Sequence, residues 1–332
     1  MKILRKLLSV VMILGFTIVT VANLVACNDY QGVKFNYENI LSTKNLQTQT
    51  QDNNGNLYYA TFDNTDIGIP GEKIWKCNIS TKKNEIYWED KNFKVGSFNM
   101  AVDSKGNIYL GSAGGVQILY NKNKSKTMPL VSNMTTNITY FKNNIYVTTF
   151  DGFYKYNIDT KNTEKINLPN DSIVNSIFID KNENIYLGVY NSINYGALII
   201  KKDEFEAKPI IGDDFFNANG VGLIAEIDNN IYFYSLNLQS KKAKLYYSNL
   251  YNIKLEYLLD LSVNVEKIFN VNNKIGLIIQ ENKNCTIQFL NITDNISLEK
   301  KFEIKNNFYN QIIQNFKILY LYDKTKIDCL SW

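Results

Sequence analysis

The stretch Asp103-Ser-Lys-Gly-Asn-Ile-Tyr-Leu-Gly111 decides the fold, because variants of it recur along the chain. An alternating apolar run, residues 98–102, comes before it, and the apolar pattern resumes at Ile108. A period of two is typical of β-strands. Asp, Gly and Asn favour the tight turn that joins two such strands. The stretch therefore predicts a β-hairpin.

The Gly-Asn-Ile-Tyr phrase inside this hairpin is repeated. Five clear copies end at Tyr58, Tyr109, Tyr146, Tyr186 and Tyr232, and two degenerate copies end at Gly276 and Leu319. The copies are spaced by roughly 40 to 50 residues, which is the period of propeller blades. Because the five tyrosines occupy equivalent positions, we expect them to be scaffold aromatics and not ligand contacts.

Further strand-like runs follow each phrase, such as residues 116–120 and the outer run 163–167. Four strands joined by short turns make one propeller blade, and no stretch of helical length shows a 3.6-residue period. We therefore predict an all-β chain whose body is a β-propeller. It has seven blades of four antiparallel strands if every copy counts, and six if the last copy is only a tail. A two-sheet sandwich is the alternative, but it does not predict a recurring phrase.

The last unit is incomplete and offers only three strands, residues 312–314, 317–321 and 326–330. Residues 32–37 near the start are strand-like and have no other partner. We expect them to pair as the outer strand of the last blade, because closing a ring removes exposed sheet edges. The predicted organisation is a propeller over 47–332, preceded by a tether and ring-closing strand within 27–46.

The body resembles a broad group of bacterial propellers that includes the NHL-like, two-component-regulator-sensor-like and quinoprotein-like repeats. The pattern Asp-x-x-Gly-Asn-hydrophobic-Tyr followed by a Gly-containing loop carries the resemblance, and it is clearest from Asp103 to Gly115. The resemblance implies the architecture and little about function, because such folds host many activities.

Residues 1–27 form a tripartite leader with a basic start, an apolar run and the ending Leu24-Val-Ala-Cys27, and residues 1–26 of it are the predicted signal peptide. This ending resembles the lipobox of bacterial lipoproteins. The resemblance implies a cleaved signal peptide, a lipidated Cys27 at the mature N-terminus and labelling by palmitate. An uncleaved anchor is the alternative, because residues 7–25 approach the ~20 needed to span a bilayer. In both cases the body is expected on the extracellular face of the cell membrane, since the positive charges precede the apolar run.

The composition excludes several kinds of chemistry. The chain contains no His, and Arg5 in the leader is its only Arg. His-based acid–base catalysis, Ser-His-Asp systems and bidentate Arg clamps are therefore absent from the body. The net charge is only +4, and part of it lies in the leader, so the body lacks the strong positive charge that is typical of nucleic-acid-binding domains. Low His and Arg with abundant Lys and Asn, together with the lipobox, resemble mollicute proteins. We predict no catalytic residue, no metal and no cofactor.

The chain has four cysteines, Cys27, Cys77, Cys285 and Cys329. Their spacings match no zinc pattern and no Cys-x-x-Cys motif. With Cys27 lipidated an odd number remains, so a disulfide framework is not expected. We predict that the other three serve as small apolar strand residues.

Two local motifs resemble functional loops. The turns beginning at Asp52 and Asp103 are similar to the start of a calcium-binding EF-hand loop, but the twelfth position holds Asp63 or Gly114 where that loop needs Glu. We interpret both as hairpin turns. Residues 112–115, Ser-Ala-Gly-Gly, lack the Lys and the helix of a phosphate-binding loop and are predicted to join the second and third strands of one blade.

The candidate ligand-binding residues lie where the repeat is interrupted. Two long loops, residues 190–196 and 212–220, are expected to meet on one rim of the propeller and to bring together Tyr190, Tyr195, Asp213, Asp214, Phe215 and Phe216. Aromatic planes with carboxylates suit a sugar, a peptide or a cation. An ordinary surface loop with its own small cluster is the alternative interpretation.

These observations predict a membrane-anchored surface lipoprotein whose propeller binds an extracellular solute, glycan or protein. One alternative is a His-independent enzyme of the lyase, hydrolase or quinoprotein type, which a convergent pair of carboxyl groups with raised pKa would support. Another is a scaffold subunit of an envelope complex, which a large exposed apolar patch would support.

Overall fold

Every element in the described part of the chain is a β-strand, and no helix there is long and apolar enough to cross a membrane. The computed structural model describes residues 36–42, 46–52, 54–63, 71–90, 99–120, 124–169, 172–190, 196–210, 221–227, 229–237, 242–251, 254–261, 265–271, 274–281, 284–291, 297–304, 311–315, 318–322 and 326–331.

The described strands, numbered β1 to β28 along the chain, form seven antiparallel sheets of four strands each. The first sheet contains β2 (Leu46–Gln51), β3 (Asn56–Asp63), β4 (Gly71–Asn78) and β5 (Lys83–Asp90). The second contains β6 (Asn99–Val102), β7 (Ile108–Ser112), β8 (Gly115–Tyr120) and β9 (Lys124–Thr127). The third contains β10 (Thr135–Phe141), β11 (Asn144–Thr149), β12 (Gly152–Asn157) and β13 (Thr163–Ile166).

The next three sheets repeat this meander. The fourth contains β14 (Ile173–Ile179), β15 (Ile185–Tyr190), β16 (Ala197–Ile200) and β17 (Lys208–Pro209). The fifth contains β18 (Val221–Ile227), β19 (Asn230–Asn237), β20 (Lys242–Asn249) and β21 (Glu256–Leu261). The sixth contains β22 (Val265–Val271), β23 (Lys274–Glu281), β24 (Asn284–Asn291) and β25 (Ser297–Ile304).

The seventh sheet joins the two ends of the chain. It contains β26 (Gln311–Asn315), β27 (Ile318–Tyr322), β28 (Lys326–Ser331) and, as its outer strand, β1 (Asn36–Ser42). β1 pairs antiparallel with β28, so an N-terminal strand completes the last unit in the predicted role. It extends to Ser42, past the predicted end at residue 37, because β28 pairs with it over this length. Residues 32–35 of the predicted strand lie outside the described residues.

The sheets stand in a ring. The first strands of successive sheets lie against one another, β2 beside β6, and then β6, β10, β14, β18, β22 and β26 in order. β26 in turn contacts β2, so the series returns to its start. Sheets that face neighbours on both sides bury both of their surfaces, which is why β7 is buried at every position whereas the outer strand β9 is exposed. The all-β class and the propeller type are therefore confirmed.

The ring has two faces with different connections. The turns from first to second and from third to fourth strands lie on one face, which we call the turn face. The turns from second to third strands and the connections between sheets lie on the opposite face, the loop face. The Ser112–Gly115 turn joins β7 to β8 on the loop face, as predicted.

The recurring Asp closes its hairpin through four hydrogen bonds. Asp103 accepts them from the backbone N–H of Lys105 and Asn107, from the Asn107 side-chain amide and from the Tyr109 hydroxyl, at 2.8–3.0 Å. Asp52 and Asp180 make the same set in their own turns. These oxygens are occupied by the turn itself, which explains the motif without calcium.

The phrase tyrosines and the cysteines belong to the core. Tyr58, Tyr109, Tyr146, Tyr186 and Tyr232 are all buried, so their predicted scaffold role is confirmed. Cys77, Cys285 and Cys329 are buried, free and in strands, as predicted. Burial raises the pKa of the Cys77 and Cys285 thiols, which keeps both in the unreactive protonated form.

One assignment within the repeat is corrected by the register. The sequence pattern places the end of the last unit's phrase at Leu319. The two sheets can be aligned by counting from the turn between their first and second strands. In the third sheet, the third residue after this turn in the second strand is Tyr146, which pairs with Thr139. In the seventh sheet, the residue in the same place is Tyr320, which pairs with Ile313. Tyr320 is therefore the equivalent residue, because a two-residue turn sets the register and the sequence pattern alone does not.

Candidate functional site

The predicted ligand-binding rim falls mostly outside the described chain. Tyr190 is the last residue of β15, and its backbone pairs with Ile173 at the loop-face end of the fourth sheet. Tyr195, Asp213, Asp214, Phe215 and Phe216 lie outside the described residues, and so does Cys27. The rim and the lipid attachment therefore stay predictions.

A described part of the same loop face exposes two large apolar side chains. Leu130, in the connection from the second to the third sheet, is 68% exposed, and Phe150, in the turn from β11 to β12, is 51% exposed. Leu130 also has a left-handed backbone with φ of 65°. A bulky residue seldom adopts this conformation, which stores strain and occurs preferentially at binding sites.

Hydrogen bonds hold this surface in place, and we call it the 130–150 platform. The Phe150 N–H donates to the Met134 carbonyl at 3.4 Å, and the Met128 N–H donates to the Val116 carbonyl at 2.8 Å. Buried Met128 and Val131 fix the connection on either side of Leu130. The platform thus exposes apolar side chains on segments that hydrogen bonds and buried neighbours hold in place.

The carboxylate of Asp151 stands at the edge of the platform. The Thr149 hydroxyl donates to it, and this hydrogen bond is the main reason that the pKa of Asp151 is lowered. Gly115 lets the neighbouring turn approach, because its φ is 104° and an added Cβ would lie 2.1 Å from the Val131 carbonyl oxygen. The platform therefore combines an apolar surface with a fixed negative charge.

A polar cleft opens on the turn face between the first and second sheets. Its volume is about 350 Å³, and a smaller hollow of about 290 Å³ adjoins it and shares Asn56 and Lys76. Tyr58 and Tyr87 contribute rings that meet edge to face at 5.2 Å, and the Lys76 ammonium lies 5.6 Å from the Tyr58 ring centroid. The cleft thus offers a cation, aromatic edges and neutral amides.

The cleft interrupts the symmetry of the ring. Lys76 lies opposite Tyr58. At the equivalent position the second and fourth sheets have buried isoleucines, Ile118 and Ile199, whereas the third sheet also has a lysine, Lys155. On three other seams of the turn face, ion pairs cross between sheets: Lys105–Asp159, Lys142–Glu183 and Lys181–Glu226 at 2.6–3.9 Å. The first seam instead opens into the cleft, which Lys76 lines.

The tyrosine hydroxyls of the cleft remain protonated. Burial, with the negative charge of Asp52, raises the pKa of Tyr58, and burial with the charges of Asp103 and Asp52 raises that of Tyr87. The Tyr87 hydroxyl donates to the Gly106 carbonyl across the seam. Because both aspartates are occupied by their own turns, the cleft is suited to binding rather than to proton transfer.

Two carboxyl groups near the inner strands have a pKa raised by burial, Glu226 on β18 and Glu266 on β22. Glu226 pairs with Ile231 near the turn-face end of the fifth sheet, and Asn270 occupies the equivalent position in the sixth sheet. Glu266 is four residues earlier than Asn270, so the two carboxyl groups are separated by about 13 Å along the strands. They do not form the convergent pair that a hydrolase or lyase would need.

Comparison with known proteins supports the fold and assigns no family. No family profile and no curated protein matches the chain, and within the described residues no cluster of His, Cys, Asp and Glu suited to a metal occurs. Many solved structures do match. One is the extracellular domain of the putative one-component system BT4673 from B. thetaiotaomicron, at 12% identity and a TM-score of 0.62, covering 88% of this chain. The chain spans only 39% of that protein.

Two other neighbours match along nearly their whole length. YCF48 bound to a D1 peptide has 8% identity and a TM-score of 0.61, with 92% of this chain and 98% of YCF48 covered. The computationally designed Ika8 protein has 8% identity and a TM-score of 0.61, with 89% of this chain and all of that chain covered. At these identities the likeness shows the fold alone.

Sequence reasoning missed both described surfaces. Leu130 and Phe150 are single apolar residues in short connections, and only the backbone shows that they are exposed on one face. Lys76 carries no sequence signal either, because the third unit also has a lysine, Lys155, at the equivalent position.

Proposed function

We propose that this protein is held on the outer surface of the cell membrane by lipid on Cys27 and binds an extracellular partner through its loop face. The lipobox-like leader and the propeller body support this proposal. So do two structural neighbours, of which one is an extracellular domain of a signalling protein and the other is bound to a peptide. Solute, glycan and protein are the three partner classes.

The exposed 130–150 platform carries the proposal. Leu130 and Phe150 are exposed to water on the same face, and backbone hydrogen bonds hold the segments that carry them. A partner that covered both would extend them into the contiguous apolar contact that is typical of interaction sites. The face is also the one that carries the predicted rim. The exposed ring of Phe150 favours a protein or peptide partner over a free sugar, because aromatic residues are enriched at the cores of protein interfaces.

Partner capture tests the proposal. The purified mature chain is applied to an array of glycans and surface proteins, beside a Leu130→Ser/Phe150→Ser variant and an Asp213→Ala/Phe215→Ala variant. We expect at least one of the two variants to lose the captured partner while keeping the wild-type melting temperature. Ile86→Ser is the matched control, since Ile86 is 44% exposed on the outer strand β5, away from the loop face. If both variants capture the partner as well as the wild-type chain does, binding through the loop face is refuted.

Lipid attachment is tested separately. Cells that express the wild-type chain or Cys27→Ser are grown with radiolabelled palmitate. We expect label in the wild-type chain only, because the proposed thioether forms at the Cys27 sulfur. Equal labelling of both chains, or label in neither, refutes the anchor.

A further inference from the structure

The direction of β1 determines where the chain enters the ring. Asn36 lies opposite Ser331 of β28, and Ser331 lies opposite Ile318, the first residue of β27 after its turn. That turn joins the first and second strands of the seventh sheet and belongs to the turn face. The chain therefore enters β1 from the turn face and leaves it at Ser42 toward the loop face.

The segment between the proposed anchor and β1 is short. Residues 28–35 separate Cys27 from Asn36 and span roughly 30 Å at full extension. Reaching the loop face would use about 20 Å of that length merely to pass alongside the seven residues of β1. A lipid on the proposed anchor Cys27 would therefore hold the turn face closer to the bilayer than the loop face.

An exposed aromatic side chain breaks the repeat on this same face. Tyr251 is 80% exposed in the turn from β20 to β21, where its N–H donates to the Asn249 side chain. The equivalent turn of the third sheet places Asp159 two residues after Asn157 with the same hydrogen bond. The Leu250 N–H donates to the Asn229 carbonyl and ties Tyr251 to the turn face. Tyrosine is enriched where protein meets lipid headgroups.

Lysines surround the turn face at exposed positions. Lys82, Lys142 and Lys161 adopt left-handed conformations in its turns, with φ of 52–61°. The Lys76 ammonium reaches the cleft that opens on this face. The carboxylates of Asp103 and Asp180 lie buried beneath the turns. Asp159 and Glu183 also lie on this face, where they pair with Lys105 and Lys142. Anionic headgroups attract lysines near a membrane surface.

We propose that the turn face is a membrane-docking surface, with Tyr251 in the headgroup region of the bilayer and the loop face directed outward. This inference rests on the proposed lipid anchor. It deepens the proposed function, because it explains how the loop face stays available to an extracellular partner.

Site-specific fluorescence quenching tests the orientation. The lipidated chain is labelled at Thr160→Cys on the turn face or at Ala113→Cys on the loop face, both exposed positions, while the native thiols of Cys77, Cys285 and Cys329 are buried. Each is reconstituted into phosphatidylcholine–phosphatidylglycerol vesicles whose headgroups carry a nitroxide. We expect loss of fluorescence at position 160 and little loss at 113. Quenching at 113, or equal quenching, overturns the orientation and leaves the anchor intact.

The contribution of Tyr251 is measured without the lipid. The full chain with Cys27→Ser is titrated with the same vesicles lacking the nitroxide, beside a Tyr251→Ser variant and the outer-strand control Ile86→Ser. We expect Tyr251→Ser to weaken vesicle binding about fivefold and Ile86→Ser to leave it unchanged. Equal binding by all three chains overturns the role of Tyr251. A chain that takes up no palmitate in cells refutes both the anchor and the orientation derived from it.

Discussion

Replacing Asp103 by Ala should destabilise the propeller more than any exposed turn substitution. Asp103 is 2% exposed and accepts four hydrogen bonds, of which those from the Tyr109 hydroxyl and the Asn107 amide come from groups inside the hairpin. The two backbone donors lie in the turn, where water can replace the carboxylate. A buried donor left without an acceptor costs about 1–3 kcal/mol, so the loss for two is about 3 kcal/mol.

Thermal unfolding followed by circular dichroism measures this loss. For a chain of this length, about 3 kcal/mol lowers the melting temperature by about 4 °C. Asp103→Asn keeps one acceptor oxygen for the backbone donors and should lose about 1 kcal/mol. Ser104→Ala changes an exposed neighbour and should stay within about 0.5 kcal/mol of the wild-type chain. If Asp103→Ala melts at the wild-type temperature, or loses no more stability than Asp103→Asn, the carboxylate does not hold the turn as proposed.

Three further predictions concern closure, backbone strain and pH. Deleting residues 36–42 removes the outer strand of the seventh sheet and should lower the melting temperature sharply; an unchanged midpoint contradicts closure by β1. Gly115→Ala should cost about 3 kcal/mol in denaturant titration, because its backbone is left-handed and its Cβ would meet Val131, whereas Gly114→Ala has open space and should be neutral. Burial raises the pKa of Glu226 above its ordinary 4.5, so wild-type stability should fall as the pH rises from below 4.5 through that raised pKa. Glu226→Gln should remove this part of the fall, and parallel pH profiles for the two chains contradict it.

Strand positions followed closely from the period of the sequence. The strand-like run 116–120 corresponds to β8, which spans Gly115–Tyr120. The outer run 163–167 corresponds to β13, which ends at Ile166. Local alternation suffices here because each sheet is a meander, in which neighbours in sequence are neighbours in space.

Features that depend on distant partners were harder to place. The described ring-closing strand, Asn36–Ser42, extends past the predicted end at residue 37, because its pairing is set by β28 nearly 300 residues away. The 130–150 platform depends on the left-handed backbone at Leu130. None of the residue types in the stretch 128–131, Met-Pro-Leu-Val, predicts that conformation. The rim around Tyr190 and Asp213 stays a prediction, since most of it lies outside the described residues.

The sequence by itself determined that the chain is a ring of repeated hairpins, because turn residues and the two-residue period act over short distances. Only the tertiary structure decided which seam stays open beside Lys76, which side chains stand exposed, and which face β1 enters. These properties arise where separate repeats meet, and a contact between repeats depends on the relative position of both. The repeat pattern therefore specifies the propeller fold. The effect of each departure from the pattern depends on which residues it contacts in the folded chain.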